Sequence, residues 1–105
     1  MTRVAIIGGG IGGLTAATAL SQAGIEVAVY EAAAELKEIG AGVALHPNAM
    51  KVLRALGVEG NVRRVAGRAQ WQVMRNWKTG RVIASTSRQQ QAVSFGIEGA
   101  TVHPG

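Results

Sequence analysis

The sequence predicts an α/β fold that opens with a strand–helix–strand unit. Residues 3–8 and 25–31 are short, nearly unbroken apolar runs, which are typical of parallel strands covered on both faces. Between them, residues 14–23 are rich in Leu and Ala, and their apolar positions recur at helical spacing. A helix that joins two parallel strands completes a βαβ unit of ordinary length.

The boundaries of this unit carry their own signals. The first run leads into a glycine-rich segment, residues 8–13, and Gly24 follows the helical segment where a left-handed cap is expected. The second run is rich in β-branched residues, which favour strands.

The next segment predicts a short strand and a second helix. Residues 43–45 are extended in character, and Pro47 opens a helix at its first position, where a missing N–H costs nothing. Gly57 ends this helix. Residues 58–70 are predicted to be a polar connection.

The last third of the chain predicts one β-hairpin. Residues 71–75 and 81–85 flank a turn that ends in Gly80. Residues 86–105 are Gln-rich and then Gly-rich, and they show no clear period. No regular element is predicted there.

Composition excludes several classes of protein. The chain is 48% hydrophobic, which is too apolar for a disordered chain, and it has no Cys, which excludes disulfide scaffolds and Cys-ligated zinc. Two His are too few for a His-rich metal site, so no metal is predicted. No apolar run reaches the length of a membrane span, and the start lacks the pattern of a signal peptide. We therefore expect a cytoplasmic protein with no membrane partner.

The positive charge is concentrated in the second part of the chain. The net charge is 11 − 6 = +5, made up of 4 − 5 = −1 in residues 1–60 and 7 − 1 = +6 in residues 61–105. A basic half can indicate nucleic-acid binding, but these bases are scattered and no nucleic-acid motif accompanies them. No nucleic-acid partner is predicted.

The glycine segment has the spacing of a phosphate-binding loop. Gly8 allows a tight turn, Gly10 lets a pyrophosphate approach the backbone, and Gly13 lets the helix pack closely on the strand. The helix N-terminus then offers free N–H groups and a positive dipole end to phosphates. The strand before the loop and the helix after it are the context that this motif requires.

The pattern continues beyond the loop. Ala17 lies one helical turn after Gly13, and Glu31 ends the second strand. A carboxylate there can accept hydrogen bonds from ribose hydroxyls and would repel a 2′-phosphate. The carboxylate at position 31 therefore favours FAD or NAD over NADP as the ligand. The alternative that this βαβ unit binds no ligand stays open.

The spacing Gly8-x-Gly10-x2-Gly13-x3-Ala17-x6-Gly24, with Glu31 after it, resembles the extended FAD-binding fingerprint of the glutathione-reductase-type flavoproteins. Residues 36–57 resemble a segment of the FAD-dependent aromatic hydroxylases, and the salicylate-hydroxylase-like monooxygenases are the most similar group. The resemblance implies an incomplete Rossmann-like FAD-binding domain, followed by a β-hairpin from a substrate-domain sheet. Residues 1–60 would belong to the FAD domain, and residues 61–105 would begin the substrate-domain sheet and end in a truncated tail.

In such enzymes NAD(P)H reduces FAD, and O2 is then used to hydroxylate a small aromatic substrate. The resemblance implies no catalytic residue in this segment. The residues expected to contact FAD are Gly8, Gly10 and Gly13 at the pyrophosphate, Glu31 at the adenosine ribose, Gly42 and Val43 on the flavin side of the cleft, and Ile11, Gly12, Ala32 and Lys37 elsewhere along the cofactor.

Three other residues invite a functional interpretation. His46 precedes Pro47 at a helix start, so a capping or loop role is favoured over catalysis. Trp71 and Trp77 could stack on a ligand, but they are expected to pack on the sheet.

The chain departs from the pattern at its end. Relatives are much longer and usually read His-Arg where this chain reads His103-Pro104. We therefore expect an N-terminal portion of a longer protein, inactive by itself. Two alternatives stay open: an NAD- or FAD-binding module of another oxidoreductase, and an inactive fragment.

Overall fold

The computed structural model describes residues 2–35 and 42–103. It divides into two compact units, residues 1–39 and residues 40–105.

The first unit is the predicted strand–helix–strand unit. Strand β1 is Arg3–Ile7, helix α1 is Ile11–Gln22 and strand β2 is Glu26–Tyr30. The two strands pair in parallel, with Arg3 opposite Glu26 at the start and Ile7 opposite Tyr30 at the end. Gly24 has a φ of +82°, which lets the chain turn from α1 into β2.

The described part of the second unit, residues 42–103, contains seven elements. They are strand β3 (Val43–Leu45), helix α2 (Pro47–Ala55), helix α3 (Glu59–Val65), strand β4 (Trp71–Arg75), strand β5 (Val82–Ser87), helix α4 (Arg88–Phe95) and strand β6 (Ala100–Val102). β3 pairs antiparallel with β6, and β4 pairs antiparallel with β5. The second pair is a hairpin at the expected position, and Gly80 has a φ of +74° in its turn.

The core lies in the second unit. Among the residues that the structure describes, the buried hydrophobic side chains are Met50, Ile97 and Ala100. They lie on α2, on the loop after α4 and on β6, so the core joins segments far apart in sequence. Partly buried neighbours complete it, namely Leu45, Leu53, Val62 and Ala66.

Residues 58–70 were expected to be a polar connection, and this is wrong for the first half of the segment. Helix α3 occupies it, with Glu59 in its first turn and Arg63 in its last. These charges complement the helix dipole, so a segment with few apolar residues still forms a helix.

Residues 86–105 also have regular structure that the sequence analysis missed. Ser87 and Gln90 form a reciprocal capping box at the start of α4, and Gly96 ends the helix with a φ of +76°. Gln91 is buried and accepts a hydrogen bond from the Gly99 N–H at 2.9 Å. A buried glutamine does not register as an apolar position, which is why the helical period was not visible.

The two tryptophans do not pack on the sheet as expected. Trp77 is 87% exposed because it lies in the hairpin turn rather than in a strand. The Lys78 Nζ lies 5.1 Å from the centre of the Trp77 ring. Trp71 begins β4 and is 59% exposed on a sheet of two strands.

Two further properties hold for the part of the chain that the structure describes. No helix there is long and apolar enough to cross a membrane. No group of three His, Asp or Glu side chains gathers as a metal site would require.

Candidate cofactor-binding site

The loop between β1 and α1 turns sharply at its first glycine. Gly8 has a φ of +110°, a conformation that side-chain-bearing residues rarely adopt. Its N–H donates to the Tyr30 carbonyl oxygen at 2.7 Å, which extends the β1–β2 pairing by one bond. The loop therefore leaves the sheet in a defined direction.

Gly13 presses the start of α1 against this loop. A Cβ built on Gly13 would lie 2.0 Å from the Gly8 carbonyl oxygen and 3.3 Å from Ile6 Cγ2. Since the nearest atom is backbone, no side-chain movement could relieve the clash. The close packing expected at Gly13 is present.

Gly10 and Gly12 are in the opposite situation. A Cβ built on either would meet no described atom within 4 Å. Gly10 is the N-cap residue of α1, and no side chain among the described residues caps this helix end. The first-turn N–H groups have no partner within the helix, so the space beside Gly10 and Gly12 suits an anionic group such as a pyrophosphate.

Glu31 lies beside this loop, at the end of β2. One carboxylate oxygen, Oε1, accepts the Gly9 N–H at 2.9 Å, and Oε2 accepts the Ala33 N–H at 2.8 Å. The hydrogen bond from Ala33 and then that from Gly9 lower the pKa of the Glu31 carboxyl, because both stabilise its anion. Ala32, the next residue, is exposed.

The remaining predicted contacts lie elsewhere. Lys37 falls outside the described residues. Gly42 and Val43 belong to the second unit, where Val43 pairs with Val102. A Cβ on Gly42, whose φ is +148°, would lie 2.9 Å from both His103 Nδ1 and the Val102 carbonyl oxygen. Gly42 thus has a packing reason to be glycine, and its contact with a cofactor stays a prediction.

His46 occupies the N-cap position of α2, but its side chain makes no capping hydrogen bond. It lines a groove of about 170 Å³ in the second unit, together with Leu45, Trp71, Arg88 and Thr101 among others. Arg88 donates to Thr101 Oγ1 and to Gln91 Oε1, both at 3.2 Å.

Sequence reasoning missed two residues at these places. Gly9 carries the N–H that meets Glu31, and its position inside a run of glycines hid it. Arg88 was not singled out because its partner on β6 is distant along the chain.

Comparison with known proteins agrees with this geometry. The model of a family described as "FAD binding domain" matches residues 1–100. A 6-hydroxynicotinate 3-monooxygenase of Pseudomonas fluorescens is 38% identical over 104 residues, which are 98% of this chain and 27% of that protein. A 3-amino-4-hydroxybenzoate 2-monooxygenase of Streptomyces platensis, PtnB3, is 46% identical over 80% of this chain and 21% of its own.

A solved structure gives the same relationship. HpxO of Klebsiella pneumoniae, in complex with FAD and uric acid, superposes with a TM-score of 0.80 at 32% identity, over 97% of this chain and 25% of that one. The chain thus spans about a quarter of the length of the relatives that it matches.

The α/β fold, the cofactor FAD and the resemblance to aromatic hydroxylases were predicted from sequence, and the family match confirms all three. The chain belongs to the FAD-binding domain family, and it is similar to part of several monooxygenases of aromatic compounds.

Proposed function

We propose that this chain is the FAD-binding part of a monooxygenase that hydroxylates a small aromatic substrate with NAD(P)H and O2. The observation that carries the proposal is the contrast within the glycine loop. Gly13 is locked against Gly8, while Gly10 and Gly12 leave open space at the N-terminus of α1. A rigid loop beside an open helix end is what a pyrophosphate needs.

The residues present fit FAD at this position. The backbone of Gly8, Gly10 and Gly13 would border the pyrophosphate, and the N–H groups of Ile11 and Gly12 would donate to it. When bound, FAD supplies the redox chemistry that links NAD(P)H and O2 to ring hydroxylation. The chain's own contribution is to bind the cofactor, to orient it and to stabilise the pyrophosphate charge at the N-terminus of α1.

At the ribose, Glu31 and Ala32 would lie beside the adenosine hydroxyls. A glutamate is an anion at neutral pH, the lowered pKa of the Glu31 carboxyl stabilises that form further, and an anion accepts such hydrogen bonds. An anion would also repel a 2′-phosphate, which favours FAD or NAD over NADP.

We propose the remaining contacts and the domain assignment by resemblance. Lys37, Gly42 and Val43 would border other parts of the cofactor. Residues 1–60 would belong to a glutathione-reductase-type FAD domain, and residues 61–105 would begin the substrate-domain sheet with the β4–β5 hairpin. The relatives named for 6-hydroxynicotinate and 3-amino-4-hydroxybenzoate support a small aromatic acid as substrate.

The test uses an extended protein, in which this chain is fused in frame to the remaining three-quarters of the Pseudomonas fluorescens relative. We expect it to purify yellow and to bind FAD with one-to-one stoichiometry. Gly10→Val should abolish saturable binding in a titration of the apoprotein, because the new side chain would fill the open space. The matched control is Gly60→Val, at another glycine in the first turn of a helix where a Cβ meets no described atom within 4 Å.

Two results would contradict the proposal. If Gly10→Val binds FAD as the control does, the pyrophosphate does not approach this loop. If the extended protein binds NADH and no flavin, the chain is a nicotinamide-dinucleotide module instead.

A further inference from the structure

The phosphate loop is joined to the end of β2 by two successive N–H groups. Gly8 donates to the Tyr30 carbonyl oxygen at 2.7 Å, and Gly9 donates to Glu31 Oε1 at 2.9 Å. The first bond joins two backbone groups and depends on no side chain. The second depends on the side chain of one residue.

The other carboxylate oxygen fixes the side chain itself. Glu31 Oε2 accepts the N–H of Ala33 at 2.8 Å, two residues further along the chain. The carboxylate therefore bridges the segment after β1 and the segment after β2. Gly9 is buried, so its N–H would lose its hydrogen bond without gaining full access to water if Glu31 were truncated.

This bridge occupies only part of the hydrogen-bond accepting capacity of the Glu31 carboxylate. An ionised carboxylate has about four lone-pair directions; the N–H groups of Ala33 and Gly9 occupy two of them, and the Ala32 N–H contributes less. The others remain for donors from a ligand. The bridge and a ribose contact are thus compatible in geometry and separable by experiment.

We infer that Glu31 is a positioning residue, which braces the phosphate loop against β2 before any cofactor binds. The inference rests on the proposed function only for what the loop holds; the brace itself is a property of the cofactor-free protein. Glutamine could replace part of it, since its single amide oxygen can accept one of the two N–H groups.

The brace is tested by hydrogen exchange of single amides, measured by NMR without cofactor. In Glu31→Ala the Gly9 amide should exchange faster by roughly tenfold or more, as expected when one hydrogen bond to a charged group is lost. Amides within the β1–β2 pairing should change by less than about threefold. Glu31→Gln should give an intermediate rate at Gly9.

The matched control is Glu26→Ala. Glu26 is an exposed glutamate at the other end of β2, where it pairs with Arg3 at 3.2 Å. Its truncation should leave the Gly9 rate unchanged. Equal Gly9 rates in Glu31→Ala and Glu26→Ala would overturn the inference.

The measurement is made on the 105-residue chain, and on the cofactor-free extended protein if the chain alone does not protect its β1–β2 amides. In either protein, a Gly9 amide that exchanges freely while its β1–β2 neighbours are protected also overturns the brace. Failure of the proposed function has a different signature: FAD would then not bind, although the exchange rates of the Gly9 amide in the variants follow the expected order.

Discussion

The contacts that stabilise the unit of residues 1–39 internally differ in kind from those that stabilise the unit of residues 40–105. In the first, none of the twelve residues of α1 is buried, and Gly13 lies so close to the Gly8 backbone that a Cβ on Gly13 would be 2.0 Å from the Gly8 carbonyl oxygen. In the second, Met50 is fully buried against Ile97 and Ala100. The site is thus shaped by backbone geometry, and the other unit is shaped by side-chain packing.

The same contrast appears in how each unit holds a glutamate. Glu31 is held by backbone N–H groups. Glu59 is held by Arg54 at 2.8 Å and Arg63 at 3.0 Å, and the Arg54 guanidinium, followed by that of Arg63, lowers the pKa of Glu59. Arg63 also donates to the Glu98 carbonyl oxygen at 2.9 Å, which fastens α3 to the segment before β6.

The largest expected effect separates two glycines of α1. Gly13→Ala should destabilise the first unit by about 3 kcal/mol or more, because the new methyl group would collide with the Gly8 carbonyl. Gly12→Ala should be neutral or stabilising by about 0.5–1 kcal/mol, since alanine favours helix and its Cβ meets open space.

Segment-resolved hydrogen exchange on the extended protein measures both variants. The second unit should keep its protection in each. If Gly13→Ala and Gly12→Ala behave alike, the first unit is not held by backbone contact at Gly13.

Met50 provides the corresponding test of the second unit. Met50→Ala should cost about 2–5 kcal/mol, as for other large-to-small changes at buried positions, and Met50→Leu less than about 1.5 kcal/mol. The loss of protection should be confined to residues 40–105. Equal loss in residues 1–39 would mean that the two units do not depend on separate contacts.

Sequence reasoning reached the first unit much better than the second, and the contrast in contacts explains this. The loop, α1 and both strands depend on contacts within a short stretch, where glycine spacing and apolar runs are visible. β6 depends on its pairing with β3, which is distant along the chain. α4 depends on a local capping box and on the buried Gln91, neither of which adds to an apolar period. In the site, Glu31 was identified by its spacing, but its bond to Gly9 depends on how the loop turns in three dimensions.

A smaller effect is expected at the start of α4. Ser87→Ala removes the side chain that accepts the Gln90 N–H at 3.0 Å, and it should cost about 1 kcal/mol of helix stability. Ser85→Ala is the matched control on the exposed part of β5. Faster exchange confined to α4 in the first variant alone would confirm that a local cap forms this helix; no difference between the variants would contradict it.

The smallest effect concerns the two glutamates and pH. Both have a lowered pKa in the folded protein, so each contributes stability that is fully present above the ordinary glutamate pKa. That contribution is lost as the pH falls through the lowered value, because protonation removes the anion that the partners stabilise.

The pKa values of Glu31 and Glu59 should nevertheless respond differently to salt. The partners of Glu59 are charged guanidinium groups, whose attraction is screened when the Debye length falls to about 3 Å at 1 M ionic strength. The partners of Glu31 are neutral N–H groups in direct contact, which salt screens little. Carboxyl-carbon NMR titrations at low and high salt should therefore show the pKa of Glu59 rising toward its ordinary value more than that of Glu31. An equal rise at both would mean that Glu31 is held by charge rather than by the backbone of its own loop.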